Sequence, residues 1–162
     1  MTDPRGSRYG QMKENQALIK GARSEALEWS IYIDHMLNAI IAEYFVENET
    51  RKQLFENEIL TRDFIPSSRK IGILADLHTV SDIPYRKKYP RLIRQLEKLN
   101  SYRNVLAHGF PDIKSPPHVK IHRGRMKQIP INRRVVRQME SMYEIASETL
   151  SNLYVRVLYE TR

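Results

Sequence analysis

The chain has no cysteine. That absence excludes disulfide frameworks, thiolate zinc sites and cysteine nucleophiles. Its six glycines form neither a phosphate loop nor a dinucleotide fingerprint, so a nucleotide-hydrolysing reading has no motif behind it. No apolar run is long enough to cross a bilayer: the longest, MLNAIIAEYF, is short and carries a glutamate. The opening MTDPRGSRYGQMKENQ lacks the apolar core of a signal peptide, so a cytoplasmic location is expected, with nucleoid or ribosome association also compatible. There is no internal repeat and no low-complexity tract. From Ile113 to Met139 there is also no Asp or Glu.

That acid-free window holds Lys114, Lys120, Arg123, Arg125, Lys127, Arg133, Arg134 and Arg137. A second basic cluster, RKKYPRLIR, spans Arg86 to Arg94. The net charge is +8. Blocks of one sign raise a local potential that attracts polyanions, although the same residues also serve as a solvated face. If RNA is the partner, Lys120, Arg123, Arg125, Lys127, Arg86, Lys87 and Lys88 are the candidate contacts. Otherwise the 162 residues, 41% hydrophobic and 28% charged, are those of an ordinary globular domain.

Met1 to Glu14 is polar and reads as a flexible arm, leaving 15–162 as one helical domain. Ala26, Trp29, Ile33, Leu37, Ile40 and Tyr44 then recur at three- and four-residue steps, with Met36 and Ile41 widening the stripe of a long helix. A second helix is expected over Glu49–Leu60, and a third after a cap at Ser67 or Ser68. A fourth starts at Pro90 and stops at Gly109, the residue type suited to a left-handed helix end. HVKIHR and MKQIPI form a hairpin around Gly124, and Pro130 places its second strand at an exposed edge. Asn132 caps the last helix, whose stripe is Met139, Tyr143, Ala146, Leu150, Leu153 and Val157. The expected fold is all-α, a bundle of four or five helices with a small β-hairpin before the last helix.

One segment breaks the pattern. In LNSYRNVLAHGF the fourth helix's apolar line is Leu92, Leu96, Leu99, Arg103 and Leu106, so a guanidinium stands on the line of the leucines. Burying it unpartnered costs several kcal/mol, so it needs an anion, carbonyl acceptors or solvent. Asn100, Asn104 and His108 lie on a neighbouring line at four-residue steps. Arg103 and His108 diverge by about 140° on an ideal helix, so fraying before Gly109 or a two-fold partner is needed to bring such groups together. The structural alternative pairs Arg103 with Glu28, Asp34 or Glu43 and leaves His108 to cap the helix C-terminus, where a cation is favoured. Of the other candidates, His118 and His122 share a strand face but have no cysteine or nearby acid to complete a metal site, and a solvent- or RNA-facing role is expected. Trp29 reads as core. Tyr85 and Tyr89 are placed to stack on bases, whereas Tyr102 reads as packing.

RNVLAH, Arg103 to His108, resembles the Arg-x4-6-His signature of the HEPN superfamily, with Asn directly after the arginine and Gly after the histidine. LEWSIYIDHMLNAIIAEYF is similar to the long opening helix of these domains, FENEILTRDFIPSSRKIGILADL to their connecting helices, and the hairpin before a final helix follows their usual order. The likeness covers about Gln16 to Tyr159. It implies a homodimer in which two motifs face each other across a cleft. It also implies a metal-independent endoribonuclease with no cofactor, often in a toxin–antitoxin or antiviral defence setting with an antitoxin partner. Arg103 and His108 would be the catalytic pair, with Asn104 supporting. Other members have lost catalysis and bind RNA or a protein partner, and the related mannitol-repressor group regulates transcription. Some toxin members carry a modifiable tyrosine two residues after the histidine; here that position is Phe110.

The residue types suit that chemistry. RNA can be cut by its own 2′-hydroxyl once a base removes the proton and a cation stabilises the charged phosphorane. Histidine exchanges protons near neutrality, and a positioned acid–base group contributes roughly 10²–10⁴-fold. Arginine stays charged and matches phosphate oxygens with a planar fork.

Overall fold

The stripe expected from Ala26 to Tyr44 belongs to a helix much longer than itself. A computed structural model describes residues 4–61, 65–80, 89–113, 117–123 and 125–160. In it, α1 runs over Pro4–Phe45. It is followed by α2 (Glu49–Phe55), a π-helical turn (Glu56–Leu60), α3 (Ser67–Val80) and α4 (Leu92–His108). Strands β1 (Phe110–Asp112), β2 (His118–Arg123) and β3 (Arg125–Pro130) precede the last helix, α5 (Arg133–Glu160). The fold class is the expected one, helical with a small antiparallel element before the last helix. Among the described residues no helix is long and apolar enough to cross a membrane.

Three details differ from the sequence reading. The stretch expected to be a flexible arm is helical from Pro4. Residues 8–14 of it are exposed, and burial begins at Asn15. α4 starts at Leu92, and Pro90 sits in the turn before it. The hairpin is a three-stranded sheet in the order β1-β2-β3, because Phe110–Asp112 pairs with β2. A three-residue strand containing proline carries no periodicity to betray it, and its exposed edge leaves Pro111 free of the donor it lacks. Of the expected caps, Asn132 is in place, whereas Ser67 is the first residue of α3 and its hydroxyl donates to Asp34; Asn48 is a cap that the sequence reading did not name. Asn132 Oδ1 accepts from the Val135 N–H at 2.9 Å, and Asn48 Oδ1 accepts from the Arg51 N–H at 3.1 Å.

The chain divides into two compact units, each built from two segments: residues 1–29 with 101–141, and residues 30–100 with 142–162. In the second unit Ile41, Ala42 and Leu60 are packed by Phe55, Ile65 and Ile73. Two buried lysines tie its helices together. Lys70 Nζ meets Asp34 at 2.6 Å, and Asp34 also accepts from Ser67 Oγ at 2.8 Å. Lys52 Nζ meets Glu43 at 2.6 Å and Glu49 at 3.1 Å. The hydrogen bond to Glu43 raises the Lys52 pKa in spite of burial. From α5, Ser151 shares a hydrogen bond with the Tyr32 hydroxyl, and Tyr143 meets the Tyr32 ring edge-on.

The first unit holds the motif. Here Ile19, Ala22 and Ala26 of α1, Tyr102, Val105 and Leu106 of α4, Val119, Ile131 and Met139 are all buried. Two polar bonds from α1 fix the chain as it leaves α4. Asn15 Nδ2 donates to the Ile113 carbonyl at 2.9 Å, and Arg23 Nη2 donates to the Gly109 carbonyl at 2.6 Å. Sheet and helix end are thereby clamped to one helix.

Candidate functional site

His108 is the last residue of α4 and is exposed. Its side chain has no hydrogen-bond or ion-pair partner among the described residues. What places it is the glycine after it. Gly109 N–H returns to the Val105 carbonyl at 2.8 Å, closing the helix, while Arg23 holds the Gly109 carbonyl from the other side. The sequence argument for this glycine was a left-handed backbone; its φ lies outside that region. The requirement is space. A Cβ there would stand closer than 3.0 Å to Val119 Cγ1, the Val105 carbonyl oxygen and the Lys120 carbonyl oxygen. Glycine lets the end of α4 lie directly against β2.

Arg103 is half-buried. Its Nη1 donates to Asn104 Oδ1 at 2.9 Å, and its Nε is buried without an acceptor. Among the described residues no carboxylate pairs with it. Two of the acids considered as partners are committed elsewhere, Asp34 to Lys70 and Glu43 to Lys52. Asn104 is thus held to the arginine beside it. Tyr102 is buried, as its spacing implied, and its hydroxyl has no partner among the described residues. Burial, assisted by the charge of Glu25, pushes its pKa up to about 12.

The basic window behaves less simply than its composition. Asp112, one residue outside the acid-free stretch, lies across from His118 in the β1–β2 register. Its Oδ2 sits 3.3 Å from Lys120 Nζ and 3.4 Å from His118 Nε2. Lys120 is thus partly neutralised, and His118 faces an acid from a neighbouring strand that sequence distance concealed. Arg123, Arg125 and Lys127 lie on the β2–β3 ribbon, where the register sets Arg123 opposite Arg125. Arg86, Lys87 and Lys88 lie outside the described residues, as does Tyr85. Among the described residues no group of three His, Asp or Glu side chains is placed to hold a metal ion.

Arg23 is the participant that sequence reading missed. Its signal was present: it follows Ile19 by four residues and precedes Ala26 by three, so it borders a buried stripe much as Arg103 does. The first unit thus contains two guanidinium groups, Arg23 and Arg103, each with a buried and unpartnered Nε. Neither is paired with a carboxylate among the described residues. Comparison with protein-family models, with curated proteins and with solved structures gives no match for this chain.

Proposed function

We propose that the protein is a metal-independent endoribonuclease of HEPN type, acting as a homodimer in the cytoplasm within a toxin–antitoxin or defence setting. The observation that carries this reading is the state of the motif. Arg103 has no carboxylate partner among the described residues, and His108 stands exposed and unbonded at the end of the same helix. An arginine kept only for stability would be expected to end on an acid or on carbonyls. The proposed division of labour gives His108 the proton of the 2′-hydroxyl and Arg103 the negative charge that builds on the phosphate, with Asn104 holding the fork. Because the two side chains leave an ideal helix about 140° apart, the second copy of the motif would complete the site.

One observation favours a second reading, a module that binds RNA or a protein partner without cutting. Arg103 spends Nη1 on Asn104 and hides Nε, leaving less of its fork for a transition state. The test is incubation of the full chain with mixed RNA in EDTA, beside Arg103→Ala and His108→Ala. The ribonuclease reading expects cleavage by the wild type and a loss of at least about 10²-fold in each variant. RNA binding without cleavage supports the module. A wild type that neither binds nor cuts RNA overturns both RNA readings, and a strict monomer in solution removes the two-copy site.

A further inference from the structure

Beside the Arg23–Gly109 contact lies a pocket of about 390 Å³, lined by Gln16, Ile19, Lys20, Arg23, Pro111 and Ile113. Its size falls within the range of about 300–1,000 Å³ in which small ligands are bound. One wall is a face of α1 on which Gln16, Lys20 and Arg23 follow at four- and three-residue steps, with the buried Ile19 among them. The other wall is the chain leaving α4, Pro111 and Ile113. Both walls are fixed by hydrogen bonds, Asn15 to Ile113 and Arg23 to Gly109. The lining combines the apolar Ile19, Pro111 and Ile113 with two cations, one amide and no acid. Arg23 also brings a buried Nε that lacks an acceptor.

We propose that this pocket is a nucleotide subsite. A base would lie against Ile19 and Pro111, and a phosphate would meet Lys20 and Arg23. Its placement ties it to the motif, because Arg23 holds the carbonyl of the residue that follows His108. A strand whose scissile bond reached His108 would have its neighbouring nucleotide here. That location rests on the ribonuclease reading; the base-plus-phosphate chemistry does not, and a free nucleotide satisfies it equally.

The test uses the full chain, with amide resonances followed by NMR and affinities by calorimetry. The probes are adenosine and uridine 5′-monophosphates, the bare nucleosides, inorganic phosphate, and a 2′-O-methyl oligoribonucleotide that cannot be cut. Nucleotides are expected to shift signals of residues 16–23 and 109–113, and to bind at least about tenfold more tightly than nucleoside or phosphate alone. Lys20→Ala, at an exposed position, is expected to weaken them about tenfold. Gln16→Trp, also exposed, fills the pocket and is expected to abolish binding while leaving the urea midpoint unchanged. Tighter binding of the oligonucleotide assigns the site to a strand; equal or tighter binding of the mononucleotide assigns it to a free nucleotide. Nucleotide binding that is absent, or indifferent to both variants, overturns the subsite. RNA cleavage with an unchanged KM in Gln16→Trp also overturns it and leaves the ribonuclease reading standing. Nucleotide binding lost in Gln16→Trp, with no cleavage by any form, keeps the subsite and removes the ribonuclease.

Discussion

Replacing Gly109 by alanine should be among the most damaging single changes in the protein, although it adds one methyl group. The added carbon would sit closer than 3.0 Å to three atoms, and two of them are backbone carbonyl oxygens that cannot rotate aside. The third belongs to Val119, which is fully buried and has no room to retreat. Relief therefore requires the backbone at Gly109 to turn away from the Val105 carbonyl and α4 to separate from β2. That movement strains the Gly109–Val105 and Arg23–Gly109 hydrogen bonds. Overpacking of this kind costs about 1–3 kcal/mol, and each weakened hydrogen bond about 0.5–1.5. The sum, about 2–6 kcal/mol, is a large part of the 5–15 kcal/mol typical of a folded domain. Urea denaturation followed by circular dichroism measures it. A second variant separates space from backbone conformation. Where glycine serves a left-handed φ, asparagine is the best-tolerated substitute; where it serves close contact, asparagine is worse than alanine. Gly109→Asn is therefore expected to fall below Gly109→Ala. An alanine variant within 0.5 kcal/mol of wild type, or an asparagine variant that outperforms it, would refute the packing of α4 against β2.

Two further outcomes concern stability. Tyr102→Phe removes a buried hydroxyl that has no partner among the described residues, so at neutral pH it should be neutral or stabilising by up to about 1 kcal/mol. Above pH 10 the unfolded tyrosine loses its proton while the folded one keeps it to about 12, so the unfolded state binds fewer protons and wild-type stability falls as pH rises. Phenylalanine should abolish that share of the alkaline loss, at most about 2.7 kcal/mol. Urea midpoints at pH 8 and pH 11 check both signs, and a clear loss at pH 8 would mean that the hydroxyl has a partner. Lys52→Met strands the buried Glu43 carboxylate and should cost about 3–5 kcal/mol, most of it recovered in the Lys52→Met/Glu43→Leu double variant. A double-mutant cycle by urea denaturation measures the recovery, and additive losses would contradict the ion pair.

The helices were legible because burial writes itself into sequence at a fixed period. Leu92, Leu96 and Leu99 on α4, and Met139, Ala146, Leu150, Leu153 and Val157 on α5, are buried as their spacing required. Caps were legible for a related reason: Asn132 has a short acceptor and a helix behind it. What could not be read were features with no period of their own. β1 is three residues long and exists because β2 offers it a ladder. The helix over residues 4–14 carries no buried face along its visible stretch, so no stripe announces it. The reason for Gly109 was misread because a glycine at a helix end has two physical explanations, and only the position of Val119 separates them.

The site shows the same boundary more sharply. Charge on an apolar line identified Arg103, and that inference needed only helical geometry. Whether the charge was cancelled depended on where Asp34 and Glu43 went, and both found lysines that sequence spacing did not pair with them. Conversely, a window free of acids along the chain is not free of them in space, because antiparallel pairing folds Asp112 onto Lys120 and His118. Composition therefore did not show that Lys120 is paired, and net charge passed over Arg23, a single residue in a helix of mixed charge. A sounder criterion for an available cation here is a guanidinium that meets no carboxylate among the described residues, and by that criterion Arg23 of α1 stands beside Arg103 of α4. On the proposed ribonuclease reading, with the pocket as a nucleotide subsite, an RNA strand over this unit is expected to run from the end of α4 toward Lys20, along the helix that clamps Gly109.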